Sequence, residues 1–582
     1  MTTTHPNKPP TGQAVAGTGQ TDRSGRRGGD RLRTVVYVLT GLVVLYLVGA
    51  PLLFLMWGTF FDADGVTLDS FRRAFGSAEA AEMVGNSLMF AFGAGVVSLV
   101  TGTTLAYLYA RTDVPFKSVF FAASLVPLIL PPVVYAPAWV FLFSEDVGAI
   151  SGPLTQIFGA SPVNAYGMTG MIAVEGLHLA PIVFLFMVAA FRSMDPSLEE
   201  AGKVCGARWS AVARRITLPL VKPALASATV IVIVLGLESF EVPVMLGEPA
   251  GLYVFTSRIY FLTNDFPADL GAAGALSVAL MAVAALLLAV TGGGRSGREH
   301  QTVTGKAFRP APVSLGRARV WVGSVVAFYF VVAVIAPVLV LIYVALSPYY
   351  QAPSIEAFSA LGFSNFEKLA ELPGLGSALV NTVLLAVVSA TLVMLVTVVA
   401  SSFVVRTRLP GRRILDWIAL APLMVPGVVL GLGLSFVYLR FPFPVYGTVI
   451  LLAIAYVTRF IPYGMRYAGA SMAQVSNELE EAARIGGARW ATTMRRVLLP
   501  LTAPGVLSGW IFVLMITFRE LSSTVLLAGP DSEVLSVILF RQYNEGTFGI
   551  VAALGVLMAV ALLTIILLAN RLGSRFGIRV EA

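Results

Sequence analysis

Long apolar runs divided by short polar stretches set the pattern of this chain. A helix crossing a bilayer takes about 20 mostly apolar residues. Twelve runs of that kind lie near residues 34–59, 84–110, 118–143, 168–191, 223–247, 269–291, 320–346, 378–404, 414–439, 447–470, 503–528 and 548–570. The pattern predicts an all-α integral membrane protein with about 12 transmembrane helices. Composition agrees, with 57% hydrophobic and 12% charged residues, where soluble domains carry about 25% charged. The mean hydropathy is +0.82.

Lysine and arginine accumulate on the cytoplasmic side of membrane proteins, and here they mark alternate connections. Arg23, Arg26, Arg27, Arg31 and Arg33 precede the first run, followed by Arg111 and Lys117, the stretch 192–222, a linker from Arg295 to Arg319, Arg406 to Arg413, the stretch 471–502, and Arg571 to Arg579. The intervening connections are poorer in cations and hold Glu145, Asp146, Asp265, Asp269, Asp531 and Glu533. Both termini are therefore expected in the cytoplasm. The net charge of +8 is spread over every inner loop rather than gathered in a patch, so topology explains it better than nucleic-acid binding. Cys205 is the single cysteine, which excludes an intrachain disulfide and thiol–metal clusters.

The chain repeats itself. Glu199-Glu200-Ala201-Gly202-Lys203-Val204-Cys205-Gly206-Ala207-Arg208-Trp209 matches Glu480-Glu481-Ala482-Ala483-Arg484-Ile485-Gly486-Gly487-Ala488-Arg489-Trp490 at an offset of 281 positions, and the register continues through Pro219 and Pro500 to Pro223 and Pro504. Further upstream, Asn86-Ser87, Arg111, Pro115, Pro127 and Pro131 match Asn381-Thr382, Arg406, Pro410, Pro422 and Pro426 at an offset of 295. The change in offset falls in the longer loop 144–166. Each half starts inside and holds an even number of spans, so the two run parallel, related by an axis along the membrane normal. The boundaries read as a disordered cytoplasmic tail 1–33, a first half 34–291, a linker 292–319, a second half 320–571 and a tail 572–582.

Each repeated stretch has the features of a short helix–turn–helix standing off the membrane. Asp195 ahead of Pro196, and Ser476 ahead of Asn477, supply side-chain caps. Glu199, Glu200, Glu480 and Glu481 follow near the positive helix end. Gly206 and Gly487 sit where a left-handed residue ends a helix. A lone copy would read as an interfacial helix with cytoplasmic arginines; two copies at identical spacing read as two handles for a soluble partner.

Glu200-Ala201-Gly202, Gly206 and Ile216 to Pro219, with Glu481-Ala482-Ala483, Gly487 and Val497 to Pro500, resemble the EAA loop of ABC-importer permeases. Gly202 and Val497 are the departures, and both leave the spacing intact. The resemblance covers about residues 34–571 and implies the type I permease architecture in a prokaryotic plasma (inner) membrane. It further implies ATPase-coupling residues Glu199, Glu200, Ala201, Gly206, Glu480, Glu481, Ala482 and Gly487. The implied partners are a cytoplasmic ABC ATPase homodimer, which uses ATP and Mg, and an extracytoplasmic substrate-binding protein. The chain itself is expected to bind no cofactor and to catalyse no reaction, since neither Gly202-Lys203-Val204 nor Gly305-Lys306-Ala307 completes a phosphate-binding Gly-Lys-Ser/Thr pattern. Leu237 to Pro243 with Gly251 to Thr256, and Phe518 to Thr524, are most similar to the ferric-iron type; thiamine, 2-aminoethylphosphonate and polyamine permeases share much of the pattern.

Ionisable residues inside spans are costly and mark function by default. Glu175, His178, Glu238, Glu241, Arg459, Arg519 and Glu520 form that set, a candidate pathway or gate. Glu238 and Arg519 are equivalent by the 281 offset, as are His178 and Arg459, which suggests that they face each other across the axis with Glu238 or Glu241 paired to Arg519. The alternative is a structural ion pair, or snorkelling near span ends. With only His5, His178 and His300, no metal site is expected. Pro127, Pro131, Pro132, Pro422 and Pro426 predict broken helices near the path. Two other classes fit twelve spans: a secondary transporter of major-facilitator layout, which needs no docking elbow, and a membrane-embedded sensor or scaffold.

Overall fold

The computed structural model describes residues 23–62, 65–145, 148–159, 164–292, 314–440 and 442–575. In the first half the principal helices are α1 (Arg23–Phe60), α2 (Ala78–Arg111), α3 (Lys117–Ile129), α4 (Pro132–Phe143), α5 (Met168–Ser193), α6 (Pro196–Val204), α7 (Ala213–Glu238), α8 (Phe255–Asn264) and α9 (Leu270–Gly292). The second half answers with α10 (Ala318–Leu346), α11 (Leu375–Arg406), α12 (Arg412–Met424), α13 (Gly427–Tyr438), α14 (Val449–Gln474), α15 (Asn477–Ile485), α16 (Trp490–Phe518), α17 (Leu535–Asn544) and α18 (Phe548–Arg575). Residues 23–33 are helical where composition suggested a disordered tail; residues 1–22, most of the linker and the last seven residues lie outside the described residues.

Among the described residues, ten helices are long and apolar enough to cross a membrane, and two bent pairs, α3 with α4 and α12 with α13, turn by 101° and 110°. Proline makes both bends. Pro131 and Pro132 offer no N–H to the end of α3, and Pro426 offers none to α12, so the helical ladder stops there. The preceding residues, Leu130 and Val425, are extended, as a following proline requires. At 12 residues each, α4 and α13 reach about 18 Å, less than the roughly 30 Å hydrocarbon core, so each bent pair makes one crossing. The ends of the neighbouring helices confirm the count. Arg111, closing α2, meets Glu199 just past α5, and Arg406, closing α11, bonds the carbonyl oxygens of Met472 and Val475 at the end of α14. Helices α2 and α5 thus end on one side, as do α11 and α14, and the chain recrosses once between them.

The halves interlock. Helix α1 packs along α11, α12 and α13 of the second half, and α10 packs on α4 of the first. Both half-helices are therefore enclosed: Val133 to Leu142 of α4 and every residue of α13 are buried. Gly433 permits a close approach, since a Cβ there would stand 2.8 Å from the Pro51 carbonyl oxygen in α1.

Candidate docking elbows and translocation path

The two elbows are built as their sequences require. Asp195 Oδ1 accepts the N–H of Ser197 at 2.9 Å and Ser476 Oγ that of Glu478 at 3.2 Å, capping α6 and α15. The Ser197 N–H and hydroxyl hold the Asp195 carboxyl below its ordinary range. Gly206 and Gly487 take φ of +80° and +82°. Beyond them Ala207 N–H returns to the Gly202 carbonyl and Ala488 N–H to that of Ala483, at 3.0 and 2.9 Å, the closure expected after a left-handed glycine. The outward faces correspond. Leu198 and Leu479 are 46% and 47% exposed, Val204 and Ile485 both 88%, and Glu200, Ala201, Glu481 and Ala482 are exposed beside them. Each elbow thus leaves two large apolar side chains uncovered on a helix otherwise rich in charge.

Glu199 departs from that surface. It is 5% exposed and turned inward, with Oε2 2.7 Å from Arg111 Nη2 and Oε1 2.6 Å from the donating hydroxyl of Thr217. Its counterpart Glu480, 12% exposed, pairs instead with Arg484, 55% exposed, one turn along α15 at 2.7 Å. Arg406, the counterpart of Arg111, bonds the Asn477 side chain and the last carbonyls of α14.

The intramembrane set converges where four helices are interrupted: at Leu130–Pro131, at Val425–Pro426, and past the ends of α7 and α16. Such breaks survive at membrane depth only when enclosed by protein or lining a path. Arg459 Nε lies 3.4 Å from Glu520 Oε2. The other oxygen of Glu520 accepts the Ser523 N–H and hydroxyl, both at 3.0 Å, and the Ser522 hydroxyl at 3.2 Å. The Arg459 guanidinium lies against Gly427, where an added Cβ would fall 1.5 Å from Nη1. Glu175 accepts the Ser239 hydroxyl at 3.0 Å, and His178 lies beside Tyr135 with centroids 5.3 Å apart and the rings tilted by 41°. Glu241 is 9% exposed, and Glu238 Oε1 is buried without a hydrogen-bond partner.

The expected pairing of Glu238 or Glu241 with Arg519 is not formed. Arg519 Nη1 donates to the Leu128 carbonyl oxygen of α3. An uninterrupted helix would bond that oxygen to the N–H of residue 132, but residue 132 is proline, so the oxygen is left open and the guanidinium fills it. Nor do equivalent residues face each other. Glu238 has Arg459 as its charged neighbour and His178 has Arg519, so the pairs cross diagonally between the halves.

Three aromatic rings meet between the halves. Tyr260 of α8 and Phe540 of α17 meet with centroids 5.8 Å apart, and Phe240 lies 5.4 Å from the first and 6.0 Å from the second. Tyr543 adds a bond from its hydroxyl to the Met245 carbonyl oxygen at 2.8 Å. Ser87 and Thr382, noted in the sequence only as part of the repeat, cap α8 and α17: their hydroxyls accept the N–H of Phe255 at 3.0 Å and of Leu535 at 2.9 Å. Their matched positions were the signal; which element they hold is set by tertiary packing. The aromatic cluster carried no signal, because apolar residues in a membrane chain look alike.

Comparisons with known proteins agree with this architecture. Residues 98–293 and 394–578 match the family described as binding-protein-dependent transport system inner membrane component. The ferric transport system permease protein FbpB of Actinobacillus pleuropneumoniae is 26% identical over 90% of this chain and 76% of its own length. The Fe(3+)-transport system permease protein FbpB 2 of Haemophilus influenzae is 25% identical over 88% of this chain and 93% of its own. The spermidine/putrescine transport system permease protein PotC of the latter organism matches 35% of this chain at 25% identity. Among solved structures, a bacterial ABC transporter involved in the import of the acidic polysaccharide alginate covers 45% of this chain and 96% of its own, at 19% identity and a TM-score of 0.37. Two copies of one domain, one in each half of an all-α type I permease fold, place this chain in the binding-protein-dependent transport system inner membrane component family.

Proposed function

We propose that this chain is the complete transmembrane pathway of an ATP-driven importer for ferric iron, with both termini and both elbows in the cytoplasm. A homodimeric ABC ATPase docks on the elbows, and an extracytoplasmic binding protein delivers the cargo. The observation that carries the coupling reading is the matched pair of exposed surfaces, Leu198, Ala201 and Val204 against Leu479, Ala482 and Ile485. A homodimer offers two identical clefts, and two identical handles answer them. Within the docking set, Glu200, Ala201, Gly206, Glu481, Ala482 and Gly487 meet the partner; Glu199 positions the first elbow from behind.

Two features favour a cationic cargo. The relatives that match nearly the whole chain are named as ferric permeases, whereas the PotC match covers about a third. The path also holds four carboxylates, Glu175, Glu238, Glu241 and Glu520, against the guanidiniums of Arg459 and Arg519. Membership of the permease family takes the place of the major-facilitator and scaffold alternatives.

The test is uptake of labelled ferric iron in cells lacking this chain, rescued by the intact sequence or by the Gly206→Val, Gly487→Val double variant. A Cβ at either glycine meets nothing within 4 Å, so the lesion is purely conformational, about 1–2 kcal/mol at each left-handed position. Uptake with the intact chain and none with the variant, at equal membrane abundance, is the expected result. Iron uptake independent of the chain would overturn the cargo, and full activity of the double variant would overturn docking. Thiamine, 2-aminoethylphosphonate and polyamines are then the cargoes to try.

A further inference from the structure

The elbows match outward but are mounted differently, and the mounting assigns them unequal mechanical roles. Three observations separate them. Glu199 joins Arg111 from the end of α2 to Thr217 at the start of α7, with side chains only 2% and 6% exposed for the ion pair. The equivalent of Thr217 is Leu498, which has no hydroxyl, and α15 contains no buried residue at all. Gly202 lets α6 sit so close to the next helix that a Cβ would stand 2.8 Å from Ile216 Cδ1; the second elbow has Ala483 there. In the second elbow the side-chain bonds to the core fall at its margins, on Asn477 from Arg406 and on Trp490, whose Nε1–H donates to the Tyr37 hydroxyl at 3.1 Å. The helix between them has an ion pair within itself, Glu480 with Arg484.

We propose that Arg111, Glu199 and Thr217 are positioning residues that make the first elbow a stiff extension of the membrane body, while the second elbow yields, so that movement of the docked ATPase pair is transmitted chiefly through the first. A buried carboxylate bonded to a guanidinium and a hydroxyl from two other helices is held in place, because leaving it strands both charges away from water. A pair one turn apart on a single helix, with Arg484 55% exposed, ties that helix to nothing else. The inference rests on the docking reading, but the stiffness it asserts is measurable without ATPase, binding protein or cargo.

The chain supplies its own probe: Cys205, its single cysteine, is exposed at the end of α6. Its counterpart is reached as Gly486→Cys in a Cys205→Ser background. Spin labels at the two positions are compared in the full-length protein in lipid nanodiscs. The expected spectra show an immobilised label at residue 205 and a mobile one at 486. Thr217→Leu, which installs the second half's residue, should raise the mobile fraction at 205 at least threefold and leave 486 unchanged. Equal mobility in the unsubstituted pair overturns the inference, as does a Thr217→Leu variant that leaves 205 immobile or loosens both positions alike. In the reconstituted importer, Thr217→Leu should raise ATP consumed per ion delivered about threefold, whereas Leu498→Val changes it less than half as much. A loosened label with unchanged coupling would overturn the mechanical role while leaving docking intact.

Discussion

Seen from outside, the first and second elbows present matching side chains at matching exposure, Leu198 with Leu479 and Val204 with Ile485; seen from the membrane, the halves diverge. Where the first half has His178, Glu238, Ser239 and Pro132, the second has Arg459, Arg519, Glu520 and Gly427. The proposed function accounts for the contrast. A surface that meets two copies of one ATPase has to be the same twice. A path that carries one cargo along the axis is used once, and its two walls are free to take complementary charges. The first wall carries Glu175, Glu238 and Glu241, and the second carries Arg459 and Arg519 with Glu520, which already pairs with Arg459.

The strongest way to break this comparison is to give the first wall the chemistry of the second. Glu238→Arg sets a guanidinium beside Arg459, and an uncompensated buried charge costs about 3–5 kcal/mol. Transport should be abolished and the melting temperature of the purified protein lowered. Adding Arg519→Glu should restore nothing, because Arg519 serves the Leu128 carbonyl rather than Glu238; recovery in the double variant would show that these two residues pair during the cycle. Gly427→Ala attacks the second wall with one methyl. It must displace the Arg459 guanidinium, an overpacking cost of about 2–3 kcal/mol, and should cut transport while leaving both elbows able to bind ATPase, measured by co-purification. The smallest effect is expected from Tyr37→Phe. It removes one acceptor from Trp490 and one partner from Ser402, about 1 kcal/mol, and sharpens the contrast by loosening the second elbow only; a spin label at Cys205 should not register it.

The sequence made the spans, the doubling, the caps and the glycine turns legible, because each rests on local rules: apolar length, a fixed offset, Asp195 and Ser476 before their helices, Gly206 and Gly487 after them. Proline predicted the two bends for an equally local reason, the missing N–H. What it could not give was partnership between the halves. Arg519 and Glu238 are equivalent by number, and equivalence suggested a pair, yet the carbonyl that binds Arg519 is freed by Pro132, nearly 400 positions away. Glu199 and Glu480 look interchangeable in the repeat, and small differences separate them, the hydroxyl of Thr217 against the methyls of Leu498 and Gly202 against Ala483. Residues 23–33 mislead for a different reason, since arginine and glycine composition says nothing of a helix that propagates outward from a stable span.

The exchange of α1 and α10 between the halves bears on how such a chain is made. Once every span of the first half has left the ribosome, the seat that α10 takes on α4 is still vacant and α1 lacks the second-half helices along which it packs. Neither half can close alone, so the membrane-insertion machinery and the proteases that patrol it meet the first half as an unfinished fold until α10 and α13 arrive. Joining both halves in one polypeptide ensures that the missing pieces come from the same messenger, in equal number and within one round of translation.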